Sequence, residues 1–398
     1  MLTGLGLTLI ALFSFLLVLS LLVFFHELGH YSVARMFGIA VDRFSIGFGK
    51  PIWRRTSKAG VEWVIAQIPL GGYVKFTGDA GAASNPDSNK LEEIRAAYVD
   101  NPSGPNIDDI FHFRPVWQRA LVVLAGPVAN FILAIVLFAG IGFAVGNQYY
   151  QSNIGSVLEG SPAESAGFLP GDKILALDGK EARDFSYVQQ YVMLRKDTDI
   201  TALIERDGRE LTLVVTPKRK EIRDPIGGKS VVGQIGLGLD RDAEPIRESY
   251  GVGGAFGFGV ERTASVLSST GTYLSRIFTG KEDGKQLGSV VKIATVTGKV
   301  AADTASADVP LETKIKAWML RMASLAASIS IALGVANLMP LPVLDGGHLV
   351  YYGYEALAGK PLSQKKQEFG FKIGFAVLLT LFVVLTINDI GYVASMRS

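Results

Sequence analysis

The chain has 398 residues, enough for more than one domain, and 48% of them are hydrophobic while 19% are charged. This composition, with a mean hydropathy of +0.30, is richer in apolar residues than that of an ordinary soluble protein. The formal net charge of +2 gives no indication of a nucleic-acid partner, and the absence of cysteine excludes disulfides and thiolate metal sites.

The first predicted element is a membrane-spanning helix that ends in a metal-binding motif. Residues 4–25 are 22 uncharged positions, a length that can cross a bilayer as a helix. An H-E-x-x-H sequence follows directly. If the helix continues through it, His26 and His30 lie one turn apart on one face and can hold a zinc ion, and Glu27 can act as general base on the water that zinc activates. Ionisable groups at membrane depth are costly, so this cluster indicates a functional site.

The basic residues predict the orientation of this first span. No Lys or Arg precedes it, whereas residues 31–119 carry eleven. Positive charge beside a span marks the cytoplasmic side, so we expect the amino terminus outside and the motif toward the cytoplasm. Because the stretch lacks the basic n-region and the cleavage site of a signal peptide, we interpret residues 1–30 as a retained transmembrane helix.

Residues 31–118 are predicted to form a cytoplasmic region of strands and a linker. Three segments have the composition of strands: residues 44–49, 61–68 and 73–76. Gly71-Gly72 predicts a turn before the last of them. The strands either form a sheet that only packs, or lie beside the metal and add an extended substrate as a further strand. The chemistry favours the second interpretation. A helical peptide bond is shielded by its own turns, so a transmembrane substrate must be unwound before water can attack it. Residues 78–105 predict a flexible linker around one short helical stretch.

The second predicted span covers residues 119–146, because residues 120–145 carry no charge. It contains the sequence G-P-V-A-N at residues 126–130. A Gly-Pro pair is tolerated as a kink in a membrane helix. The side chain of Asn130 can then satisfy freed backbone groups or bond a neighbouring helix.

Residues 147–240 resemble a PDZ domain. The resemblance rests on S-P-A-E-S-A-G at residues 161–167 and P-G-D-K-I-L-A-L-D-G at residues 170–179, with strands and turn signals after them. PDZ domains bind peptide tails by strand addition, but such a domain can equally act as a filter that sterically excludes bulky ectodomains. Counting spans places it outside the cytoplasm, together with the connecting segment, residues 241–316. In that segment, residues 263–278 predict an amphipathic helix that lies on the outer membrane face or packs on the PDZ-like domain.

Two further spans are predicted in the last third of the chain. Residues 317–349 form the third, since residues 322–344 are uncharged, and residues 369–391 form the fourth. Between them, residues 350–368 are expected to be a cytoplasmic loop, because lysines concentrate there. The carboxyl terminus is then expected outside.

The third predicted span ends in N-L-M-P-L-P-V-L-D-G-G-H at residues 337–348. A catalytic zinc needs a third protein ligand with one position left open, and Asp345 is the only acid near this hydrophobic end. Because Asp-Gly is a turn signal, Asp345 taken alone is equally well explained as a capping or turn residue. His348 could be a fourth ligand, but that would close the site, so a role as a partner of the ligands or as a turn residue is favoured.

The two motifs together resemble the site-2 protease family. H-E-L-G-H at the end of a first span and N-x-x-P-x-P-x-L-D-G-G near the end of a later one are similar, more narrowly, to the bacterial regulator-of-sigma-E protease group of intramembrane zinc metalloproteases. The resemblance covers nearly the whole chain. It implies zinc ligands His26, His30 and Asp345. It also implies that Glu27 is the catalytic base and that Asn337 binds the substrate backbone near the metal.

The resemblance further implies a fold and a function. The expected fold is a polytopic α-helical membrane protein with four transmembrane helices, a membrane-associated β-loop within residues 31–118 and an extracytoplasmic PDZ-like α+β domain. The family has a similar G-P-x-x-N beside its active site, so we favour a role for Asn130 in supporting the first helix. The expected substrates are single-span proteins already shortened outside the bacterial inner membrane, such as anti-sigma factors or remnant signal peptides, in regulated intramembrane proteolysis. Membrane lipid is expected to surround the transmembrane helices.

Two other classes of protein remain open. In the first, the metal is structural and the PDZ-like domain acts as a scaffold, but such a site has no use for Glu27 beside its ligands. The second is a metal transporter, which should show repeats and several intramembrane ligands along a path. The sequence shows no repeat and one cluster.

Overall fold

A computed structural model describes residues 4–78, 91–93, 95–96, 106–224, 228–240 and 243–396. Most of the linker predicted at residues 78–105 lies outside the described residues, although residues 91–93 and 95–96 are helical. The chain divides into two compact units. The first unit comprises Met1–Ala139, Gly259–Leu267 and Ser289–Ile387, and the second comprises Gly140–Phe258, Ser268–Gly288 and Asn388–Ser398.

Besides the helical residues 91–93 and 95–96, the described part of the chain contains nine α-helices. They are α1 (Gly4–Met36), α2 (Val116–Val145), α3 (Pro162–Ser165), α4 (Phe185–Met193), α5 (Val252–Phe278), α6 (Val290–Ser306), α7 (Leu311–Asn337), α8 (Asp345–Ala358) and α9 (Gln364–Ser395). Four of them, α1, α2, α7 and α9, are long and apolar enough to cross a membrane. The prediction of a multi-pass membrane protein with four spans is therefore confirmed.

Helix α1 continues through the H-E-x-x-H motif and ends at Met36. The condition that placed both histidines on one face of a single helix is therefore met. Arg35 in the last turn adds a favourable charge at this carboxyl-terminal end of the helix.

The third predicted span has different bounds in the structure. Helix α7 begins at Leu311, before the uncharged stretch, and ends at Asn337. Pro340 lies in the irregular connection that follows, because proline has no N–H with which to continue a helix. Asp345 begins a separate helix, α8, so the segment predicted as the third span, residues 317–349, is interrupted at Pro340 and Pro342, where prolines are expected to break a helix. Because α8 extends to Ala358, the first part of the loop predicted at residues 350–368 is helical.

Beside α1 lies a sheet of two long, bent strands, β1 (Val41–Thr56) and β2 (Glu62–Phe76), which pair antiparallel. Phe44 in β1 has partners on both sides, Val74 and Trp63, so the two strands fold over one another rather than form a simple hairpin.

The turn predicted at Gly71-Gly72 agrees with the pairing of the strands, because β2 reverses its direction relative to β1 between Ile68 and Gly72. A Cβ on Gly72 would lie 2.7 Å from the carbonyl oxygen of Ser45 and 2.9 Å from Cγ of Glu27. At this position glycine also allows a close approach between strand and helix.

Two apolar clusters hold the first unit together. One joins α1, α2, α8 and the sheet through buried residues such as Phe44, Val122 and Tyr352. The other joins α1, α2, α6 and α7 around Leu22 and Ala301.

Helix α6 is the element of the first unit that the sequence analysis did not predict. It packs so closely on α1 that a Cβ on Gly298 would lie 3.0 Å from the Cβ of Ala11. Its buried face consists of small residues and threonines, and two of its charges, Lys299 and Asp303, pair with each other at 3.1 Å.

The second unit contains the segment predicted to be PDZ-like. Its strands are β3 (Asn147–Tyr149), β4 (Ile154–Val157), β5 (Lys173–Leu177), β6 (Lys180–Glu181), β7 (Ile200–Arg206), β8 (Arg209–Val215), β9 (Lys218–Arg223), β10 (Lys229–Gln234), β11 (Leu237–Leu239) and β12 (Ile246–Glu248). The largest sheet has the antiparallel order β6-β5-β7-β8. Ile154, Phe168, Leu177, Ile200 and Ile204 form part of the core under it, together with residues of α4. The helix predicted at residues 263–278 begins earlier, at the start of α5.

Candidate metal centre

The structure brings together the three predicted ligands from opposite ends of the chain. His26 and His30 project from α1, and Asp345 is the first residue of α8. One donor atom from each residue lies within 4.8 Å of the others, and no second group of this kind occurs in the described residues. Nε2 of His26 is 3.3 Å from Nε2 of His30 and 3.3 Å from Oδ2 of Asp345, while Nε2 of His30 is 3.6 Å from the same oxygen.

These separations fit a tetrahedral zinc ion. Ligand bonds of about 2.0–2.1 Å hold neighbouring donor atoms of a tetrahedron about 3.3–3.4 Å apart. Oδ2 of Asp345 is buried and accepts no hydrogen bond from any described residue. A buried carboxylate oxygen that faces two imidazole nitrogens is well placed to bind a cation between them, because burying an uncompensated charge is costly. The residues present therefore fit a zinc ion.

Contacts from α2 orient both imidazoles. Nδ1–H of His30 donates to the carbonyl oxygen of Val122 at 2.9 Å, which leaves its Nε2 free as a metal ligand. The carboxamide of Asn130, which is fully buried, lies 3.1 Å from Nδ1 of His26. With the carboxamide oxygen turned to this nitrogen it accepts from Nδ1–H, and Nε2 of His26 is then free as well. The favoured role of Asn130, support of the first helix, agrees with this contact.

Gly126 of the Gly-Pro pair lies against the imidazoles, so the pair does more than allow a kink. A Cβ on Gly126 would lie 2.3 Å from Nε2 of His30 and 2.8 Å from Cε1 of His26. Glycine is therefore required where α2 passes the imidazoles. Pro127 lies inside α2, which continues without interruption to Val145.

Glu27 points toward the sheet rather than into lipid. Its side chain is buried against Gly72, and its carboxylate accepts a hydrogen bond from the backbone N–H of Val74. Gly72 and Val74 could not be predicted from the sequence as neighbours of the base, because only the tertiary fold brings β2 to α1.

Asn337 and His348 differ in their relation to the donor atoms. Nδ2 of Asn337, the last residue of α7, lies 3.4 Å from Nε2 of His26, so its carboxamide reaches the metal position. His348 is not part of the group of three donors. Its ring packs edge-on against Tyr351, which agrees with the preference against a fourth ligand.

Comparison with known proteins identifies the family. The sequence model of Peptidase family M50 matches residues 14–381, which is most of the chain. The chain belongs to this family. Metalloprotease MmpA of Caulobacter vibrioides is 41% identical to this M50 peptidase over 384 residues, which cover 96% of each protein.

Two more relatives extend the comparison. A protein of Rhizobium meliloti that is provisionally named a zinc metalloprotease is 40% identical over 380 residues, 95% of this chain and 96% of the relative. A protein of Agrobacterium fabrum with the same provisional name is 41% identical over 379 residues, 95% of this chain and 94% of the relative. This M50 peptidase is a zinc metalloprotease of an intramembrane protease family, so the predicted enzyme class and metal are confirmed.

Proposed function

We propose that this M50 peptidase hydrolyses peptide bonds within the transmembrane segments of single-span membrane proteins. In this proposal His26, His30 and Asp345 are the zinc ligands and Glu27 is the catalytic base. The observation that carries it is the triangle of donor atoms, with sides of 3.3, 3.3 and 3.6 Å, on a helix that is apolar enough to span a membrane.

The reaction then needs few groups. Bound zinc supplies Lewis-acid chemistry, which polarises a carbonyl group and makes water a nucleophile at neutral pH. Glu27 takes the proton from the attacking water at its carboxylate and passes it to the leaving amine. The carboxamide of Asn337, 3.4 Å from Nε2 of His26, is placed to donate to the backbone of a substrate at the metal. Burial of Glu27 keeps bulk water away from its carboxylate.

The sheet beside Glu27 supports strand addition as the way in which substrate is held. Tyr73 and Val74 in β2 pair with β1 on one side, at Ser45 and Phe44, and have no ladder partner on the other side among the described residues. A substrate segment unwound from its helix can add along this edge with its backbone next to the base, where it would compete with Glu27 for the N–H of Val74. This is the role proposed for the membrane-associated β-loop.

The finer assignments are also proposals. The antiparallel sheet and two short helices of the second unit support a PDZ-like domain, which we place outside the cytoplasm as a tail-binding module or size filter. We place the active site toward the cytoplasmic side of the bacterial inner membrane and both termini outside. We also propose that the substrates are shortened beforehand on the outer side, as the resemblance to the regulator-of-sigma-E protease group implies. Anti-sigma factors and remnant signal peptides are substrates of this kind.

Cleavage of a tagged single-span reporter without its ectodomain, in membranes that carry wild type or Glu27→Gln, tests the proposal. We expect a smaller cytoplasmic fragment with wild type, and no fragment with Glu27→Gln or after addition of a zinc chelator. The Glu27→Gln protein should still bind zinc, because Glu27 is not among the three donors.

Equal amounts of fragment from wild type and Glu27→Gln would remove Glu27 from the chemistry. No fragment from several reporters, with zinc bound, would favour the scaffold.

A further inference from the structure

A second polar contact joins α8 to α2 at a distance from the donor atoms. Arg119, in the first turn of α2, donates from Nη2 to Oε1 of Glu355 at 2.6 Å and from Nη1 to Oε2 at 3.2 Å. The two side chains are only 9% and 16% exposed. Two parallel hydrogen bonds between a guanidinium and a carboxylate fix orientation as well as distance.

The third nitrogen of the Arg119 guanidinium, Nε, has a partner as well. Nε donates to the carbonyl oxygen of Arg114 at 2.9 Å, and Cζ lies 5.0 Å from the ring centroid of Tyr352, which is itself buried. A buried ion pair adds little net stability compared with apolar residues of the same volume, because both charges lose their hydration. Stability alone therefore does not account for this pair.

Arg119 belongs to one face of α2 that contacts both helices with predicted zinc ligands, α1 and α8. Residues 119, 122, 126 and 130 follow one another at intervals of three or four, so they share a helix face. The carbonyl of Val122 orients His30, and the carboxamide of Asn130 contacts His26. Arg119 is the member of this face that contacts the helix of the third ligand.

Glu355 lies at the far end of that helix. Ten residues separate it from Asp345, about 15 Å along α8 at 1.5 Å per residue. The near end of α8 packs on irregular backbone, where a Cβ on Gly346 would lie 2.4 Å from the carbonyl oxygen of Leu338. Over about 15 Å, a tilt of about 4° moves one end by about 1 Å. Metal ligands tolerate deviations of only about 0.2 Å.

We propose that Arg119 and Glu355 are positioning residues, which hold α8 against α2 so that Asp345 reaches the zinc with the geometry of a ligand. The inference rests on the proposed assignment of Asp345 as a ligand. The ion pair acts through the orientation of α8 and touches neither metal nor substrate.

The test measures zinc affinity, by competition with a chelator, of the purified full-length protein in detergent. We expect Arg119→Gln and Glu355→Gln each to weaken zinc binding about 10- to 100-fold, the range for residues that orient metal ligands. The double variant should be no weaker than either single variant, because both substitutions remove the same contact. The visible absorption of the cobalt(II)-loaded protein reports ligand geometry and should change in the same variants.

Arg206 offers a matched control in the second unit. Its guanidinium donates to both carboxylate oxygens of Asp172 at 2.6 and 2.7 Å, an arrangement like that of Arg119 and Glu355 but on no ligand helix. Arg206→Gln should leave zinc affinity and the cobalt spectrum unchanged. Arg119→Lys keeps the charge but not the two parallel hydrogen bonds, so it should weaken zinc binding several-fold. If Arg119→Gln does not fold, Arg119→Lys is the variant that tests the positioning role.

Wild-type zinc affinity and cobalt spectrum in folded Arg119→Gln, or in Arg119→Lys if the former does not fold, would overturn the inference. His26→Ala separates this failure from that of the proposed function. If His26→Ala abolishes zinc binding while the Arg119 variants retain it, the site stands and only the positioning role is lost. If wild type and His26→Ala bind zinc equally, the proposed site itself fails.

Discussion

Replacing Gly126 by alanine tests the geometry of the candidate centre most directly. The added Cβ would lie 2.3 Å from Nε2 of His30, whereas an ordinary contact begins at 3.4 Å. His30 must therefore move by about 1.1 Å, or α2 must separate from α1 by a similar amount. Since zinc ligands tolerate about 0.2 Å, His30 is lost as a ligand in either case.

The expected loss is large and is not a general weakening of the helix. A displacement of about 1 Å at a reacting centre costs about 100-fold in rate, or about 2.7 kcal/mol of transition-state stabilisation. Alanine is a better helix former than glycine by about 1 kcal/mol, so α2 itself is not weakened by the substitution. Gly126→Ala should therefore be folded, bind zinc poorly and cleave at least about 100-fold more slowly.

Gly140, in the same helix, is the matched control. A Cβ at Gly140 meets no described atom within 4 Å, so Gly140→Ala should retain zinc and activity. Zinc content of the purified proteins and reporter cleavage are measured side by side. Wild-type zinc content and cleavage in Gly126→Ala would refute the placement of α2 against the imidazoles.

Two further predictions concern the support of His26 and the second unit. Asn130→Leu removes the partner of Nδ1 of His26 at nearly constant volume, so zinc affinity in a chelator competition should fall about 10- to 100-fold; unchanged affinity would contradict the contact. Burial acts to raise the pKa of Asp172, but hydrogen bonds from Arg206 and from the Leu169 amide outweigh it and hold the pKa below its usual value. A carboxyl whose pKa is lower in the folded state stabilises that state above its unfolded pKa of about 3.9, and the contribution is lost as pH falls through the folded pKa. Hydrogen exchange in residues 173–206 should therefore be faster in Arg206→Gln than in wild type at neutral pH. The difference should shrink below about pH 4, and a difference that stays constant with pH would contradict the pairing.

The parts of the site that depend on local spacing could be predicted from the sequence. His26 and His30 share a face because helical periodicity places them there, and the structure keeps them in one helix. Asp345 could not be joined to them in this way, since its neighbours in sequence fit a turn equally well. Only the resemblance to a family made that link, and the tertiary fold brings its carboxylate to the imidazoles.

The errors in the fold have physical reasons as well. The start of α7 was placed too late because Lys314, Lys316 and Arg321 precede or interrupt the apolar run, although they belong to the same helix. Helix α6 was missed because small residues such as Gly298 and Ala301, not large apolar ones, form its buried face. Close packing of this kind depends on the neighbouring helix, which a local pattern does not contain.

The three candidate ligands come from opposite ends of the chain, and this has a consequence for biosynthesis. His30 and Asp345 are separated by 315 positions, which take about 15–60 s to synthesise at about 5–20 residues per second. Until then the nascent chain holds two imidazoles and Glu27 but lacks the carboxylate that completes the set. If Asp345 is the third zinc ligand, as proposed, the full ligand set forms only after this last segment of the chain has been made.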